Sequence, residues 1–378
     1  MKIPDSLLVL VVQQQDEAKK EREKIATWLT PINYYRERQS DCIDEHQPET
    51  LQWLLESTEY QTWLNTSKKT LLCHGSPGAG KTIATATVVA DLEEKLKNDA
   101  SSIVIYLYCD YKMHDEQKLR DLLSCLLKQL VLAHETLPDT IKRLHDNHKK
   151  GQTRPLFKEI LTAFNSLASG YSRIYILVDA LDECQTEDAC QSKLITEILK
   201  IQDKLGANLF LTSQPMAQIM ERFKGCLQKE ISASKEDIGA YLDAEMSHFQ
   251  SAVLEDTELM ETVKTRIIEA VGGMFLLARL CLKQLREETS PEAVRTALKQ
   301  LSSGSRAYDH AYEKAMERIE KSEGVSMRAK KVLSWITCTR RPLKPVELQT
   351  ALAVEVGKHD IDQKALLSLK DIVSACSG

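Results

Sequence analysis

The sequence predicts an α/β fold in which helices cover both faces of a doubly wound parallel sheet. Short apolar runs rich in Ile, Val, Leu and Tyr alternate with helical patterns, which is typical of buried parallel strands. A glycine-rich segment, GSPGAGKT, joins the first apolar run to the helix that follows it. Strand patterns end at Ser232, and helical periodicity continues beyond it. The chain is therefore expected to contain a sheet domain followed by helical domains.

Five strands alternate with helices in the expected sheet domain. TLLCH is the first strand, a helix over 82–97 follows it, and SIVIYLYCD is the second strand. Helices are expected in DLLSCLLKQLVLAH and PLFKEILTAFNSLA, before the third strand RIYILVD. A helix over 190–205 precedes the fourth strand, NLFLTS, and LQKEIS is the fifth. Strands separated by helices in this way are expected to pair in parallel.

The remaining segments are predicted to be helical. An amphipathic helix is expected from residue 5 to about residue 29, and three of the four tryptophans follow in short helices broken by Pro31 and Pro48. The polar SSGSR segment is the best candidate for a linker. The expected domains are a connector helix over 1–27, a helical lead-in over 28–69, the sheet domain over 70–235, a helical domain over 236–303 and a last unit over 304–378.

Composition and charge exclude several classes of protein. A hydrophobic content of 43% over 378 residues is ample for buried cores. The net charge of −5 leaves no sustained basic stripe, so nucleic acid is not expected as a partner. No apolar run reaches the roughly 20 residues that span a bilayer, and LLVLVV is too short for a signal peptide. Ten cysteines without a CxxC pair indicate free thiols, so we expect a cytoplasmic protein.

The segment from Gly75 to Thr82 matches the phosphate-binding pattern GxxxxGK[ST] in full. Lys81 is expected to neutralise the β- and γ-phosphates, and the Thr82 hydroxyl is a candidate Mg²⁺ ligand. Backbone N–H groups of the loop turn inward around a phosphate at the start of the helix. The expected ligand is therefore a nucleotide with Mg²⁺. The loop residues expected to bind it are Gly75, Ser76, Pro77, Gly78, Ala79 and Gly80.

A second element of the expected site is the strand that ends at Asp179 in IYILVDALDEC. A carboxylate at this position reaches the Mg²⁺ ion beside the phosphate loop, so Asp179 is the second candidate metal ligand. Ala180 follows it, so the water-activating acid often found there is absent. Asp182 and Glu183 are the candidate catalytic acids, which orient water or serve the outer ligands of the metal. The alternative is an N-capping acidic turn before the helix at Cys190.

A third element is LTSQP, at the end of the fourth strand. Ser213 and Gln214 are polar residues placed where a γ-phosphate can be sensed. The alternative is that they cap the strand end.

Together these residues resemble the NACHT group of signal-transducing P-loop NTPases, in the STAND class. The likeness is to fungal NACHT/ankyrin-type proteins, in which WLLES and a further tryptophan precede GSPGAGKT, and to the nephrocystin-3-like N-terminal region. The likeness covers about residues 28–378. Its more specific parts are LVDALDEC, LTSQP, GGMFLLARL and RPLKPVELQTALAVE. The resemblance implies a P-loop nucleotide-binding sheet, a helical domain and a partial winged-helix domain over 304–378. It also implies that nucleotide is buried between them and that exchange of ADP for ATP reopens them.

The resemblance also bears on individual positions. It implies that Phe275 in GGMFLLARL lies near the base, and the alternative is that Phe275 is a core residue at the start of a helix. Gln214 replaces the arginine common in the family, so a cationic γ-phosphate sensor is lost and hydrolysis is expected to be slow or absent. HQPETLQW lacks the glycine usual before the tryptophan, which leaves adenine-side contacts of Glu49 and Thr50 open. An N-terminal effector and C-terminal repeats usually flank such a core, so we expect a fragment or a truncated gene model.

The function expected from these features is that of a regulatory switch. ATP or ADP holds the domains together, and the exchange state controls assembly into a homo-oligomer and a downstream signal, such as non-self recognition or cell death. An active ring-forming ATPase and a scaffold that has lost nucleotide use are the alternatives. Intact Lys81, Thr82 and Asp179 argue against the scaffold. As an enzyme, the chain is expected to be at most a slow nucleoside triphosphatase.

Overall fold

The computed structural model describes most of the chain. The described residues are 5–110, 113, 117–134, 136–148, 151–184, 189–247, 249, 251–300, 316, 326–339, 341, 343–354, 366–369 and 372. They divide into two units, one of residues Met1–Tyr241 and Gly273–Leu276 and the other of Leu242–Gly272 and Leu277–Gly378. The SSGSR segment and the helix expected in AYDHAYEKAMERIE lie almost wholly outside the described residues.

A five-stranded parallel sheet forms the centre of the first unit. Its strands are β1 (Thr70–His74), β2 (Ser102–Tyr108), β3 (Arg173–Asp179), β4 (Asn208–Ser213) and β5 (Leu227–Glu230). Their order in the sheet is β2-β3-β4-β1-β5, and every neighbouring pair is parallel. In this order β4 lies between β1 and β3, so the end of β4 separates the phosphate loop from the strand that carries Asp179. The predicted α/β fold with a parallel sheet is confirmed.

Helices surround the sheet and connect its strands. Those that begin in the first unit are α1 (Asp5–Leu29), α2 (Tyr34–Glu45), α3 (Gln52–Leu55), α4 (Thr58–Asn65), α5 (Lys81–Leu96), α6 (Leu119–Ala133), α7 (Asp139–Asn147), α8 (Phe157–Ala168), α9 (Cys190–Leu205), α10 (Ala217–Arg222), α11 (Lys235–Met246) and α14 (Phe275–Arg286). A short 3₁₀ helix spans Leu181–Glu183. Helices α7 and α10 are ones that the sequence patterns did not predict.

Aromatic packing attaches the lead-in to the sheet. The Trp63 side chain on α4 is fully buried, and its ring lies 5.5 Å from Tyr175 on β3 and 5.7 Å from Phe210 on β4. The Asn208 amide donates a hydrogen bond of 2.6 Å to the Trp63 carbonyl. Such ring pairs are worth about 0.5–1.5 kcal/mol each beyond the area they bury. The lead-in is therefore part of the core that positions the phosphate loop.

The second unit consists of helices in its described part. The helices that lie wholly in the second unit are α12 (Ser251–Leu254), α13 (Thr257–Val271), α15 (Pro291–Gln300), α16 (Ser326–Cys338) and α17 (Pro345–Ala353). An ion pair between Arg295 and Asp256 joins α15 to the start of α13, and Arg286 pairs with Glu245 at 2.7 Å. Helical domains after the sheet agree with the predicted fold. The winged-helix assignment of 304–378 stays a prediction.

In the part of the chain that the structure describes, none of the helices combines the length and apolar character needed to cross a membrane.

Candidate functional site

The phosphate loop joins the end of β1 to the start of α5. Gly78 and Gly80 have φ of 73° and 97°, a region that residues with a side chain rarely adopt. A Cβ at Gly75 would lie only 2.3 Å from the Ile231 carbonyl oxygen, so this position has no room for a side chain. The Ala79 N–H donates to the Ser76 carbonyl at 3.2 Å and closes the turn. The glycine spacing therefore serves both the backbone conformation and a close approach to the segment after β5.

The Lys81 ammonium group lies against this loop. It donates hydrogen bonds to the carbonyls of Gly75 at 2.9 Å and Ser76 at 3.0 Å. Burial lowers the pKa of Lys81, and the nearby carboxylates of Asp182, Asp179 and Glu183 oppose that shift. The structure thus brings together the predicted phosphate-binding cation and all three predicted acids.

Asp179 is a buried carboxylate held by hydroxyl groups. Its side chain is 2% exposed, and its Oδ1 accepts hydrogen bonds from Thr85 at 2.8 Å and Thr212 at 2.6 Å. Burial raises the pKa of Asp179, while hydrogen bonds from Thr212, Thr85 and Thr82 and the charge of Lys81 act in the opposite direction. The two predicted metal ligands, Thr82 and Asp179, therefore lie side by side.

The turn after β3 connects the acidic residues to β4. Ala180 has a left-handed backbone with φ of 52°, and its N–H donates to the Thr212 hydroxyl at 2.8 Å. Asp182 then accepts a hydrogen bond of 2.9 Å from the Gln214 backbone N–H. The candidate acid and the candidate sensor are thus direct partners. Because this contact fixes one oxygen of Asp182, it restrains the orientation of that carboxylate.

Ser213 contacts its own strand end and the phosphate loop. The buried Ser213 hydroxyl donates to the Gln214 carbonyl at 2.7 Å, and the Ser213 carbonyl accepts from the Gly75 N–H at 3.2 Å. The hydroxyl geometry is that of a strand-end cap, whereas the carbonyl contact ties β4 to the first residue of the loop.

Phe275 lies in a segment that docks on the phosphate loop. The N–H of the next residue, Leu276, donates to the Gly78 carbonyl at 3.1 Å. A Cβ on Gly78 would lie 2.7 Å from the Leu276 Cβ, so the two backbones are in close contact. The Phe275 ring packs on Tyr241 of α11 with centroids 4.8 Å apart. Phe275 is therefore the direct neighbour of the residue that contacts the phosphate loop.

The loop before α3 is anchored at the same side of the first unit. The Asp237 carboxylate on α11 accepts hydrogen bonds from the Leu51 N–H at 3.1 Å and from the Trp53 indole N–H at 2.7 Å. Glu49 and Leu51 have positive φ values of 69° and 63°. Thr50, between them, is buried and donates to the Gln47 carbonyl.

Several residues of this site were not predicted from the sequence. Thr85 and Thr212 lie in apolar runs, where threonine is common for packing reasons, and Asp237 belongs to an ordinary acidic helix start. A weak signal exists for Thr85, because it follows Thr82 by three positions and thus lies on the same helix face. The Leu276 contact depends on backbone atoms and left no pattern in the sequence.

The donor set fits a nucleotide with Mg²⁺. The loop and Lys81 offer positive charge to phosphates, and Thr82 with Asp179 offers the one hydroxyl and one carboxylate that Mg²⁺ commonly takes from such a protein site. The described residues contain no group of three or more His, Cys, Asp or Glu side chains suited to a metal ion. Mg²⁺ needs no such group, because phosphates and water supply its other ligands.

The loop, the sheet and the strand-end carboxylate define a nucleotide-binding P-loop NTPase. Residues 49–214 match the family described as Nephrocystin 3, N-terminal. The vegetative incompatibility protein HET-E-1 of Podospora anserina is 22% identical over 336 residues, which cover 86% of this chain. The chain spans only 24% of the length of that relative. These similarities confirm the predicted resemblance to fungal proteins of the NACHT type.

Solved structures show distant likeness. The ORC2 protein of Aeropyrum pernix has a TM-score of 0.45 at 13% identity, covering 88% of this chain and 95% of that one. Cdc6p from Pyrobaculum aerophilum has a TM-score of 0.44 at 14% identity, covering 81% and 80%.

Proposed function

We propose that the chain is a regulatory switch of the STAND type, in which bound ATP or ADP with Mg²⁺ sets the conformational state. In this proposal Gly75 to Thr82 hold the phosphates, and Thr82 and Asp179 hold Mg²⁺. Ser213 and Gln214 lie at the γ-phosphate, and Phe275 lies near the base. Hydrolysis is slow or absent, and the nucleotide state controls self-assembly and signalling in the cytoplasm.

The observation that carries this proposal is the hydrogen bond between Asp182 and the Gln214 backbone. One carboxylate oxygen of Asp182, the candidate catalytic acid, accepts this hydrogen bond, which links the end of β3 to the end of β4. Gln214 itself brings an uncharged side chain to a position where stabilising the transition state calls for positive charge. The site is thus better equipped to hold a nucleotide than to hydrolyse it.

Two further points support a signalling role. Asp179 is held by hydroxyls from both α5 and β4, which fix the orientation of its carboxylate on the metal side of the site. The name of the relative from Podospora anserina, a vegetative incompatibility protein, favours non-self recognition as the process served. Self-assembly is part of the proposal because a switch of this kind needs a partner that responds to its state.

The test is the affinity of the purified chain for ADP and ATP with and without Mg²⁺, measured by calorimetry. We expect Lys81→Ala to weaken binding on the order of 100-fold, because it removes the cation at the phosphates. Lys95→Ala is the matched control, because Lys95 lies on the same helix and pairs with Asp91 near the surface. Equal affinity of the Lys81→Ala variant and the wild type would refute a phosphate-binding role for the loop.

A turnover assay separates the switch from the ring-forming ATPase. The switch predicts less than about one turnover per minute, far below the median of about 10 per second among enzymes. Fast turnover that rises with protein concentration would favour the ring ATPase. Identification of the nucleotide retained after purification completes the test, because retained ADP is expected of a switch at rest.

A further inference from the structure

Cys109 and Cys184 form a buried pair of thiols beside the candidate metal site. Their sulfur atoms lie 2.7 Å apart, although the two residues are 75 positions apart in the chain. The side chains are 5% and 4% exposed, and both cysteines are free thiols. The pair is therefore a dithiol whose two sulfur atoms are already in direct contact.

Each thiol lies next to a main-chain segment of the candidate site. Cys109 follows β2 directly, and its N–H donates to the Asp179 carbonyl at 3.2 Å. Cys184 ends the 3₁₀ helix Leu181–Glu183, and its N–H donates to the Leu181 carbonyl at 3.3 Å. We call residues 180–184 the acidic turn, because it carries both candidate catalytic acids. The thiol pair thus brings the end of β2 against the last residue of the acidic turn.

Hydrogen bonds hold the main chain on both sides of the pair. The Gln191 amide on α9 donates to the Leu181 carbonyl at 2.6 Å, and the Gln117 amide donates to the Tyr108 carbonyl at 3.0 Å. A disulfide forms only where the main chain already holds two cysteines close together. Closing the sulfur contact from 2.7 Å to a bond of about 2.05 Å requires a movement of less than about 1 Å.

We propose that Cys109 and Cys184 are a modification site, at which a hydroperoxide converts the two thiols into a disulfide. One thiol sulfur takes up an oxygen atom from the hydroperoxide, the O–O bond breaks, and the remainder leaves as water or an alcohol. The second thiol attacks the resulting sulfenic acid, so that the S–S bond forms and water leaves. The thiols lose two electrons and two protons in total, and the same two electrons reduce the hydroperoxide.

The disulfide would restrain the acidic turn. Asp182 and Glu183 lie between Asp179, at the end of β3, and Cys184, so the cross-link attaches their segment to the sheet at both ends. Disulfides of cytosolic proteins are usually transient and serve catalysis or redox sensing. The modification is therefore a reversible restraint on the two candidate acids. Its formation does not depend on the proposed function, whereas its regulatory meaning rests on it.

The experiment oxidises the full chain with hydrogen peroxide and maps its thiols. All samples carry Cys338→Ser, because Cys338 is exposed and can pair with another chain. After alkylation of the remaining thiols, digestion at glutamate separates Cys184 from Cys190, since Glu187 lies between them. Mass spectrometry without reductant then identifies linked peptides. Cys109→Ser and Cys184→Ser each remove one member of the pair. Cys190→Ser is the matched control, because Cys190 is as buried as Cys184.

We expect the parent chain to lose two hydrogen atoms and to yield a peptide that links Cys109 to Cys184. Dithiothreitol should reverse the change. Cys190→Ser should form the same link, and the serine variants of the pair should form none. Amide hydrogen exchange in the acidic turn should slow on the order of tenfold in the oxidised parent chain, because the cross-link opposes local opening.

Three results would overturn the inference. The first is that both thiols stay free at a peroxide dose that oxidises Met327, which is 78% exposed. The second is a link from Cys184 to Cys190 instead, and the third is equal exchange of the acidic turn in oxidised and reduced chain. Failure of the proposed function looks different, because the link would form in a chain whose nucleotide binding is absent or independent of Lys81. If a serine variant does not fold, the peptide map of the parent chain decides alone.

Discussion

The Thr85 hydroxyl lies 2.8 Å from Oδ1 of Asp179, one helical turn beyond Thr82 on the helix that starts at the phosphate loop. This hydrogen bond joins the end of β3 to α5 in a fully buried place. A buried carboxylate is tolerated only where hydrogen bonds or charges compensate for its desolvation. Thr85 is therefore part of what keeps Asp179 ionised and in place.

Thr85→Val is expected to destabilise the chain. Valine has the same shape but no hydroxyl, so the buried carboxylate loses a partner and the free energy of unfolding falls by about 1–3 kcal/mol. Urea unfolding measures the change. Thr87→Val is the control, because Thr87 is on the same helix but its hydroxyl bonds only the Ile83 carbonyl. A loss that is no larger for Thr85→Val than for Thr87→Val would contradict the role assigned to Thr85.

Mg²⁺-dependent nucleotide binding should weaken at acid pH. Burial raises the pKa of Asp179, so this carboxyl takes up a proton at a higher pH than an ordinary aspartate, and a protonated carboxyl does not bind Mg²⁺. As the pH is lowered, the affinity for Mg-ADP should therefore begin to fall at a higher pH than an ordinary aspartate would cause, while the affinity for ADP in chelator changes little. Titration calorimetry at several pH values tests this. The Asp179→Asn variant should lack the difference, and its persistence there would assign it to another group.

Gln214→Arg should accelerate hydrolysis. A guanidinium at the end of β4 would place positive charge where the transition state of phosphoryl transfer accumulates negative charge. We expect turnover to rise on the order of tenfold or more, measured as phosphate release. Gln218→Arg serves as the control, because Gln218 is exposed on α10 and adds the same charge away from the loop. An equal rise in both variants would indicate an effect of net charge only.

Gly78→Ala should cost more than Gly80→Ala. Both glycines have positive φ, so alanine is strained at either position. Only at Gly78 does the new Cβ meet a neighbour, at 2.7 Å from the Leu276 Cβ, whereas Gly80 faces open space. We expect an extra loss of about 1–3 kcal/mol in the free energy of unfolding. Thermal melts of both variants give the comparison, and equal losses would show that Leu276 yields at no cost.

Thiol reactivity should separate the cysteines by burial. Burial raises the pKa of Cys42 and Cys281 to about 11 and that of Cys125 to about 12, so few thiolates form there near neutral pH. Cys338 is exposed. Alkylation of the native chain followed by peptide mass spectrometry should therefore modify Cys338 before Cys42, Cys125 and Cys281. Denatured chain should react at all of them, and rapid native modification of Cys125 would contradict the packing around it.

The strands could be predicted because each is a short apolar run between turn residues. RIYILVD and NLFLTS have the bounds expected, and so does the first strand. The order of the strands could not be predicted, because an apolar run carries no mark of its neighbour. Helix α7 was missed because it is polar apart from Ile141 and Leu144, which are its buried residues.

The parts of the site that consist of a short local motif could be predicted from the sequence. The phosphate loop and Asp179 are such motifs, and they lie together as the sequence indicated. Thr212 and Asp237 act through partners 33 and up to 186 positions away, and no pattern in one sequence records such a pairing. The hydrogen bond from Leu276 to Gly78 joins main-chain atoms, which every residue has, so the residue types at these two positions do not indicate the contact.

Two of the three tryptophans of the lead-in, Trp53 and Trp63, give the protein an internal optical probe. Trp63 is fully buried among aromatic rings, so its emission should stay constant while the core is intact. Trp53 is half-buried and donates its indole proton to a carboxylate, a contact that would break if residues 49–53 moved. A change in Trp53 emission with constant Trp63 emission would therefore report that this contact has changed, without a dye or a labelled ligand.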